Sequence, residues 1–313
     1  MPTPDLAART APASPDSGLG AAPVRPVRPA ELQDPLNRWL YHPLAWQLAR
    51  VLARTPLTPN MVSVIGALFV VAAAWAYAQP WYPLAPLLGM ALHMTWHIVD
   101  GADGDLARLT GRSSPVGEMV DGICDYASHV VLYLVLGTIL QHQMGAWGWA
   151  WAIGAGLSHI VQSNHVEVQR RQYQWWMHGT PWLRNSRAAD GAIGGRRGLG
   201  AIADLYLRLA TGLTPFAVQV DSAVEAAQDN PQRLAAIRTE IGREARPLLL
   251  LLKFLGPNPR AIVLGISMLL GGPIWYFLYQ TVVLNALLVV SVILHNRSAR
   301  RIARRIEMGS AAA

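Results

Sequence analysis

DGADGDLARLTGRSSPVGEMVDGICD, residues 100–125, packs five aspartates and one glutamate into 26 residues. Apolar sequence flanks it on both sides. Residues 81–99 hold no Asp, Glu, Lys or Arg, and neither do residues 126–166. Acidic groups between two such segments are costly near lipid and mark function by default. Working outward, the charge-free run 60–79 has 20 residues. That is enough to cross a bilayer core of about 30 Å at about 1.5 Å per residue. Residues 81–99 form a second expected span that continues as helix into the acidic stretch. Residues 115–141 and 145–168 are a third and a fourth. Residues 261–296 are again free of formal charge and make two short crossings, broken near Gly271-Gly272-Pro273. The fifth span can begin as early as Leu248.

The composition fits this reading. Charged residues are 14% of the 313 and apolar residues 52%, against roughly 25% charged in soluble domains. Cys124 is the single cysteine, which excludes an intrachain disulfide framework. The net charge of +7 is carried by arginine, since Lys253 is the only lysine. On an apolar chain such a balance points to cytoplasmic loops near anionic lipid rather than to nucleic acid. Residues 1–30 have no apolar run, so they are expected to be a disordered tail rather than a signal peptide. Residues 31–59 mix Trp, Leu and Arg at helical spacing, as an interfacial amphipathic helix does.

The expected fold is an all-α polytopic membrane protein, a six-transmembrane-helix bundle. Its first four spans lie in 60–171, with the acidic stretch between the second and third. A helical cytoplasmic insert follows at 172–245, then two spans in 246–299 and a basic tail at 300–313. The insert opens with Tyr173, Trp175, Trp176 and Trp182, read as headgroup-boundary aromatics. It continues through GAIGGRRGLG (191–200), which lacks a preceding strand and reads as a linker rather than a nucleotide loop. Leu234, Ile237 and Ile241 line one face of its last helix. Arg112, Arg170, Arg171, Arg184, Arg196 and Arg197 then fall on one face with both termini. The positive-inside rule makes that face, and the acidic stretch, cytoplasmic.

Within the acidic stretch, Ser114-Pro115 supplies an N-cap and first turn for the helix that follows. Asp100, Asp103, Gly104, Ala107 and Arg108 share one face of the preceding helix. Gly117, Asp121 and Asp125 share one face of the next. Asp105 points about 140° from Asp100 and is expected to be solvated, its replacement leaving activity nearly intact. Four carboxylates on two packed helices repel unless a cation intervenes. All-oxygen ligands suit Mg²⁺ or Mn²⁺, and two such ions would balance four carboxylates and clamp a diphosphate. Gly104, Ala107 and Gly117 clear space beside the acids, and Arg108 offers a planar donor for phosphate. Close helix packing explains the same small residues.

Asp100-x-x-Asp103-Gly104-x-x-Ala107-Arg108, eight further residues, then Gly117-x-x-x-Asp121-x-x-x-Asp125 resembles the CDP-alcohol phosphotransferase (CDP-alcohol phosphatidyltransferase) signature at every fixed position. Thr58-Pro59-Asn60 at the head of the first span, the six spans and the interfacial helix extend the resemblance. The insert lies outside it. The resemblance implies transfer of a substituted phosphate from a CDP-linked donor to an alcohol, with release of CMP, in phospholipid biosynthesis. It implies that Asp100, Asp103 and Asp121 hold metal ions. Asp125 contacts metal or acts as general base, and Gly104, Ala107, Arg108 and Gly117 line the site of the CDP moiety.

Phosphatidyl transfer from CDP-diacylglycerol to a polar alcohol is the expected direction. The phrase SSPVGEMVDGICD is similar to choline- and ethanolaminephosphotransferases, which pass a headgroup phosphate to a lipid alcohol. A phosphorylated acceptor needs extra cations, for which Arg170 and Arg171 are candidates; their alternative is the ordinary positive-inside pair. Ser158, Gln162 and His165 lie at helical spacing and either line an acceptor pocket or bond to neighbouring helices. His93 and His97 are spaced for zinc, but the excess of carboxylates favours a harder metal. A transporter is the rival class, though its acids would sit near mid-membrane with an internal repeat. A degenerate, inactive member is opposed by the intact motif. Expected partners are the donor, the acceptor and membrane lipid, with no nucleic acid. The oligomeric state, homodimer included, is left open by the sequence.

Overall fold

The computed structural model describes residues 28–180 and 212–311. The tail before residue 28, the 191–200 linker and Trp182 lie outside these residues. Among the described residues every regular element is helical. A π-helical turn at Asn37–Tyr41 runs into α1 (His42–Leu52). Ala45 and Ala49 of α1 pack on Val99, Ala102 and Leu106, while Trp39, Leu40, Leu44 and Val51 face outward. Next come α2 (Pro59–Tyr77), α3 (Leu84–Leu109), α4 (Pro115–Met144) and α5 (Trp147–His178). The insert supplies α6 (Ala217–Ala226) and α7 (Pro231–Glu244). The chain continues through α8 (Leu249–Phe254), α9 (Pro257–Leu269), α10 (Ile274–Leu278) and α11 (Leu284–Ala311).

The caps follow the sequence. Thr58 accepts from the Met61 amide at the head of α2, and Ser114 accepts from the Gly117 amide at the head of α4. Each is followed by proline in the first turn, where a missing N–H costs nothing. The break expected at Gly271-Gly272 is present, with φ of 104° and 153° at the two glycines, a region that side chains disfavour.

Among the described residues, four helical segments are long and apolar enough to cross a membrane: Pro59–Tyr77, Val116–Met144, Arg246–Leu269 and Ile274–Met308. The expected second and fourth spans fall in α3 and α5, whose length suffices but whose composition is too polar for that test. The former carries His93, His97 and the acids; the latter carries Ser158, Gln162, Asn164, His165 and Glu167. The three uncharged connections meet at one end of the bundle. Tyr82 Oη donates to Leu269 O at 3.3 Å, and Gln143 Nε2 donates to Gly271 O at 2.8 Å. The C-terminus of α3 and the N-terminus of α4, with their acids, lie at the other end.

Two boundaries differ from the sequence reading. Position 172 falls inside α5, which runs unbroken to His178 and stops at Gly179, whose φ is 68°. Tyr173, Trp175 and Trp176 are buried within the protein, packed with Val220, Val224, Ile237, Ile241 and Ile302. The insert itself offers the polar partner that an indole needs when buried: Trp176 Nε1 donates to Asp221 Oδ1 at 2.5 Å. The expected basic tail at 300–313 is also helical as far as Ala311. Arg301 and Arg305 pair with Glu244 and Glu240 of α7 at 2.7 and 2.6 Å.

Candidate active site

α3 and α4 both pack on α2, and this brings the motif carboxylates of the two helices together. Asp100, Asp103 and Asp121 offer ligand oxygens that all lie within 4.8 Å of one another. Asp125 lines the same cavity as Asp100. Carboxyl groups gathered this closely need shared protons or a cation between them. The donor set is all hard oxygen, which fits Mg²⁺ or Mn²⁺ and not a soft metal. Neutral donors orient the acids. Ser63 Oγ of α2 donates to Asp103 Oδ2 at 2.6 Å, and Trp96 Nε1 donates to Asp125 Oδ1 at 3.3 Å.

The small residues have separate reasons. A Cβ on Gly117 would lie 3.3 Å from Ser114 Oγ and 3.5 Å from Asn60 Oδ1. The tighter of the two is to the cap of its own helix, so glycine there leaves room for the Ser114 hydroxyl to bond the Gly117 amide. A Cβ on Gly104 would lie 3.4 Å from Nη2 of Arg108, so that guanidinium lies back along its own helix. Ala107 is half-buried on the same face.

Asp105 does not behave as the sequence suggested. It is off the face of Asp100, but its side chain is 1% exposed and its Oδ1 accepts from both Arg28 and Arg108 at 2.6 Å. The face that helical geometry assigned to solvent is covered by the segment around Arg28, 77 residues away in the chain.

Beside the acids opens a cavity of about 560 Å³. Asp100 and Asp125 line it, with His93, His97, His129, Tyr133, His159 and Arg260. Apolar side chains of α4 and α5, among them Val130, Leu134, Ile153 and Leu157, complete the wall and are themselves exposed. The cavity is thus polar at its base and apolar at its side. Of the proposed acceptor residues only Arg170 lines it; that side chain stands 3.9 Å from Glu167, whereas Arg171 binds Glu167 at 2.6 Å. Ser158 accepts from Asn285 Nδ2 at 2.9 Å. Gln162 is fully buried among Gln280, Asn285 and Arg260, and His165 meets Ser291 Oγ at 2.9 Å. These three tie α5 to the last helices.

The sequence reading missed Arg260, His129 and Tyr133. The last two continue the α4 face at four-residue steps from Gly117 through Asp121 and Asp125, so their signal was present. Arg260 sits one residue outside the charge-free run at 261–296. It is 4% exposed, donates to Ser163 Oγ at 2.8 Å and to Gln162 Oε1 at 3.3 Å, and leaves Nε without a partner.

A helical bundle of membrane character with a carboxylate cluster on two of its helices defines a class: a membrane protein with an acidic site whose oxygens could hold a hard metal ion. The comparisons are narrower. Residues 56–177 match the CDP-alcohol phosphatidyltransferase family. Over 97 residues the chain is 35% identical to an archaetidylinositol phosphate synthase of Aeropyrum pernix, covering 29% of this chain and 47% of that protein. The chain thus spans about half the length of that relative. The match bears out the resemblance read from the motif, over the segment that holds both motif helices.

Proposed function

We propose that the chain is an integral-membrane transferase that moves a phosphatidyl group from CDP-diacylglycerol to a polar alcohol and releases CMP. The observation that carries this is the convergence of Asp100, Asp103 and Asp121 beside a cavity that Asp125 also lines, polar at its base and apolar at its side. One substrate is lipid and the other polar, and such a cavity suits both. The family match and the relative's name support the phosphatidyl direction.

Asp100, Asp103 and Asp121, with Asp125 beside them, would hold two divalent cations, Mg²⁺ or Mn²⁺. Bound there, the ions would neutralise the donor diphosphate and stabilise displacement at phosphorus. Asp125 takes the proton of the acceptor hydroxyl as its oxygen attacks, while the phosphorus–oxygen bond to CMP breaks. The Trp96 indole keeps the Asp125 carboxylate aimed. Arg108, Gly104, Ala107 and Gly117 receive the CDP moiety. Arg260 and Arg170 face the acceptor side of the cavity. Six crossings, with the acidic end and both termini cytoplasmic, are supported by the meeting of the three uncharged turns at the opposite end. In this arrangement α1, with its outward apolar residues, lies in the interface.

The test is release of CMP from labelled CDP-diacylglycerol and from CDP-ethanolamine, scanned over polar and lipid acceptors. Release from CDP-diacylglycerol with a polar alcohol is expected. Release from CDP-ethanolamine alone would reverse the direction of transfer, and none from either donor would end the reading.

A further inference from the structure

We infer that Gln162 is a positioning residue for the acceptor: it holds the guanidinium of Arg260 at the cavity wall, where that cation receives an anionic group carried by the acceptor alcohol. This rests on the proposed reading of the cavity as the place where a polar alcohol meets the donor.

Arg260 stands in the first turn of α9. It is buried, and it lines the cavity together with Asp100 and Asp125. Nη1 donates to Ser163 Oγ at 2.8 Å and Nη2 to Gln162 Oε1 at 3.3 Å, while Nε has no partner. Among the described residues no carboxylate forms an ion pair with it. Glu167 lines the same cavity but is bound by Arg171 at 2.6 Å. A guanidinium does not shed its proton, and a buried cation without a counter-charge is costly. An anion that enters the cavity removes that cost. Ser163 adds to the site, since it also lines the cavity. Its oxygen accepts from Arg260, and its own proton is left to donate.

Gln162 decides where the guanidinium points. Its side chain is fully buried. Nε2 donates to the Gln280 carbonyl at 3.0 Å and to Asn285 Oδ1 at 2.7 Å. Oε1 accepts from Gln280 Nε2 at 2.8 Å and from Arg260. Asn285 is fixed in turn, because its Nδ2 donates to Ser158 Oγ and to Thr281 O, each at 2.9 Å. Both donors of Gln162 are thus in use, and only its oxygen can face Arg260. Gln280 belongs to a π-helical turn at Tyr279–Val283, between α10 and α11; such turns are frequent at functional sites. Gln162 itself does not line the cavity. It reaches the acceptor only through Arg260, and no spacing along α5 reveals this, because the two residues are 98 apart.

The experiment uses the full chain in detergent with Mg²⁺ and CDP-diacylglycerol. Glycerol phosphate and serine are the anionic acceptors, one with a phosphate and one with a carboxylate, and inositol is the neutral one. Inorganic phosphate is the binding probe, read as a rise in the unfolding midpoint. Gln162→Met keeps the volume but removes the oxygen. It is expected to raise the KM of the anionic acceptor about 10-fold, with kcat and donor KM within about threefold. Arg260→Gln should raise that KM by roughly 10- to 100-fold and abolish the response to phosphate. In the double variant, Gln162→Met should add no more than about threefold to Arg260→Gln, since both act at one place. Gln162→Glu keeps an oxygen toward Arg260 but cancels its charge, so its midpoint should no longer respond to phosphate. Unchanged acceptor KM in Gln162→Met overturns the inference, as do a fall in kcat alone and effects that multiply in the double variant. Turnover of inositol alone overturns it too. If both Gln162 variants fail to fold while Arg260→Gln folds, Gln162 serves the fold and the inference falls. Absence of CMP release with every acceptor is instead a failure of the functional reading, and the phosphate titration still reads the site at Arg260.

Discussion

Asp125 is the residue at which charge and shape separate most cleanly. Asparagine keeps its volume and its contact with Trp96 but loses the basic oxygen. Asp125→Asn is expected to lower CMP release by about 10² to 10⁴ in protein that still elutes as folded; turnover near wild type would remove Asp125 from its assigned role. The same carboxylates predict that EDTA abolishes activity and that Mg²⁺ or Mn²⁺ restores it. Undiminished turnover in metal-free buffer would sink the metal account. Asp105 teaches a different lesson. Helical geometry put it off the face of Asp100 and Asp103, yet off that face did not mean in water. Its environment is made by two arginines, one of them supplied from outside α3.

At the scale of elements, the α4–α5 hairpin sets two walls of the cavity, and Gly148 sets the hairpin. A Cβ there would come within 2.6 Å of the Gln141 amide nitrogen and 2.7 Å of the Leu140 carbonyl carbon. Backbone cannot swing aside as a side chain can. Gly148→Ala should therefore destabilise the fold by about 1–3 kcal/mol, read as a lower unfolding midpoint in detergent; an unshifted midpoint would mean that the helices part at no cost. Ser158 separates the two readings of the polar side of α5. Its hydroxyl accepts from Asn285 at 2.9 Å and donates to Gly154 O at 2.8 Å. Ser158→Ala is expected to cost about 0.6 kcal/mol, at most near 1.7, of stability and to leave acceptor KM unchanged. A raised acceptor KM would return Ser158 to the pocket.

For the whole molecule, the meeting of Gln143 with Gly271 fixes two turns at one end of the bundle, opposite the acids. In a Cys124→Ser background, cysteines at 143 and 272 should label from the same, non-cytoplasmic side, and a cysteine at 112 from the cytoplasmic side. Labelling of 143 or 272 from the cytoplasm would break the six-crossing map.

Reading along the chain alone determined the helical class of fold and which acids share the motif faces. Charge-free runs, the Ser114-Pro115 and Thr58-Pro59 caps and the four-residue steps from Gly117 to Asp125 are local, and local geometry on a helix follows from spacing. Continued two steps further, the same periodicity already contained His129 and Tyr133. Only the tertiary structure decided what covers each face. That Asp105 is buried, that Tyr173 and Trp176 pack against the insert, that Ser158, Gln162 and His165 face the last helices, and that Arg260 enters the cavity all depend on which distant segment arrives there. Helical periodicity fixes the direction of a side chain but carries no information about its partner. A charged or polar group near lipid takes its meaning from that partner, because burial without one is costly.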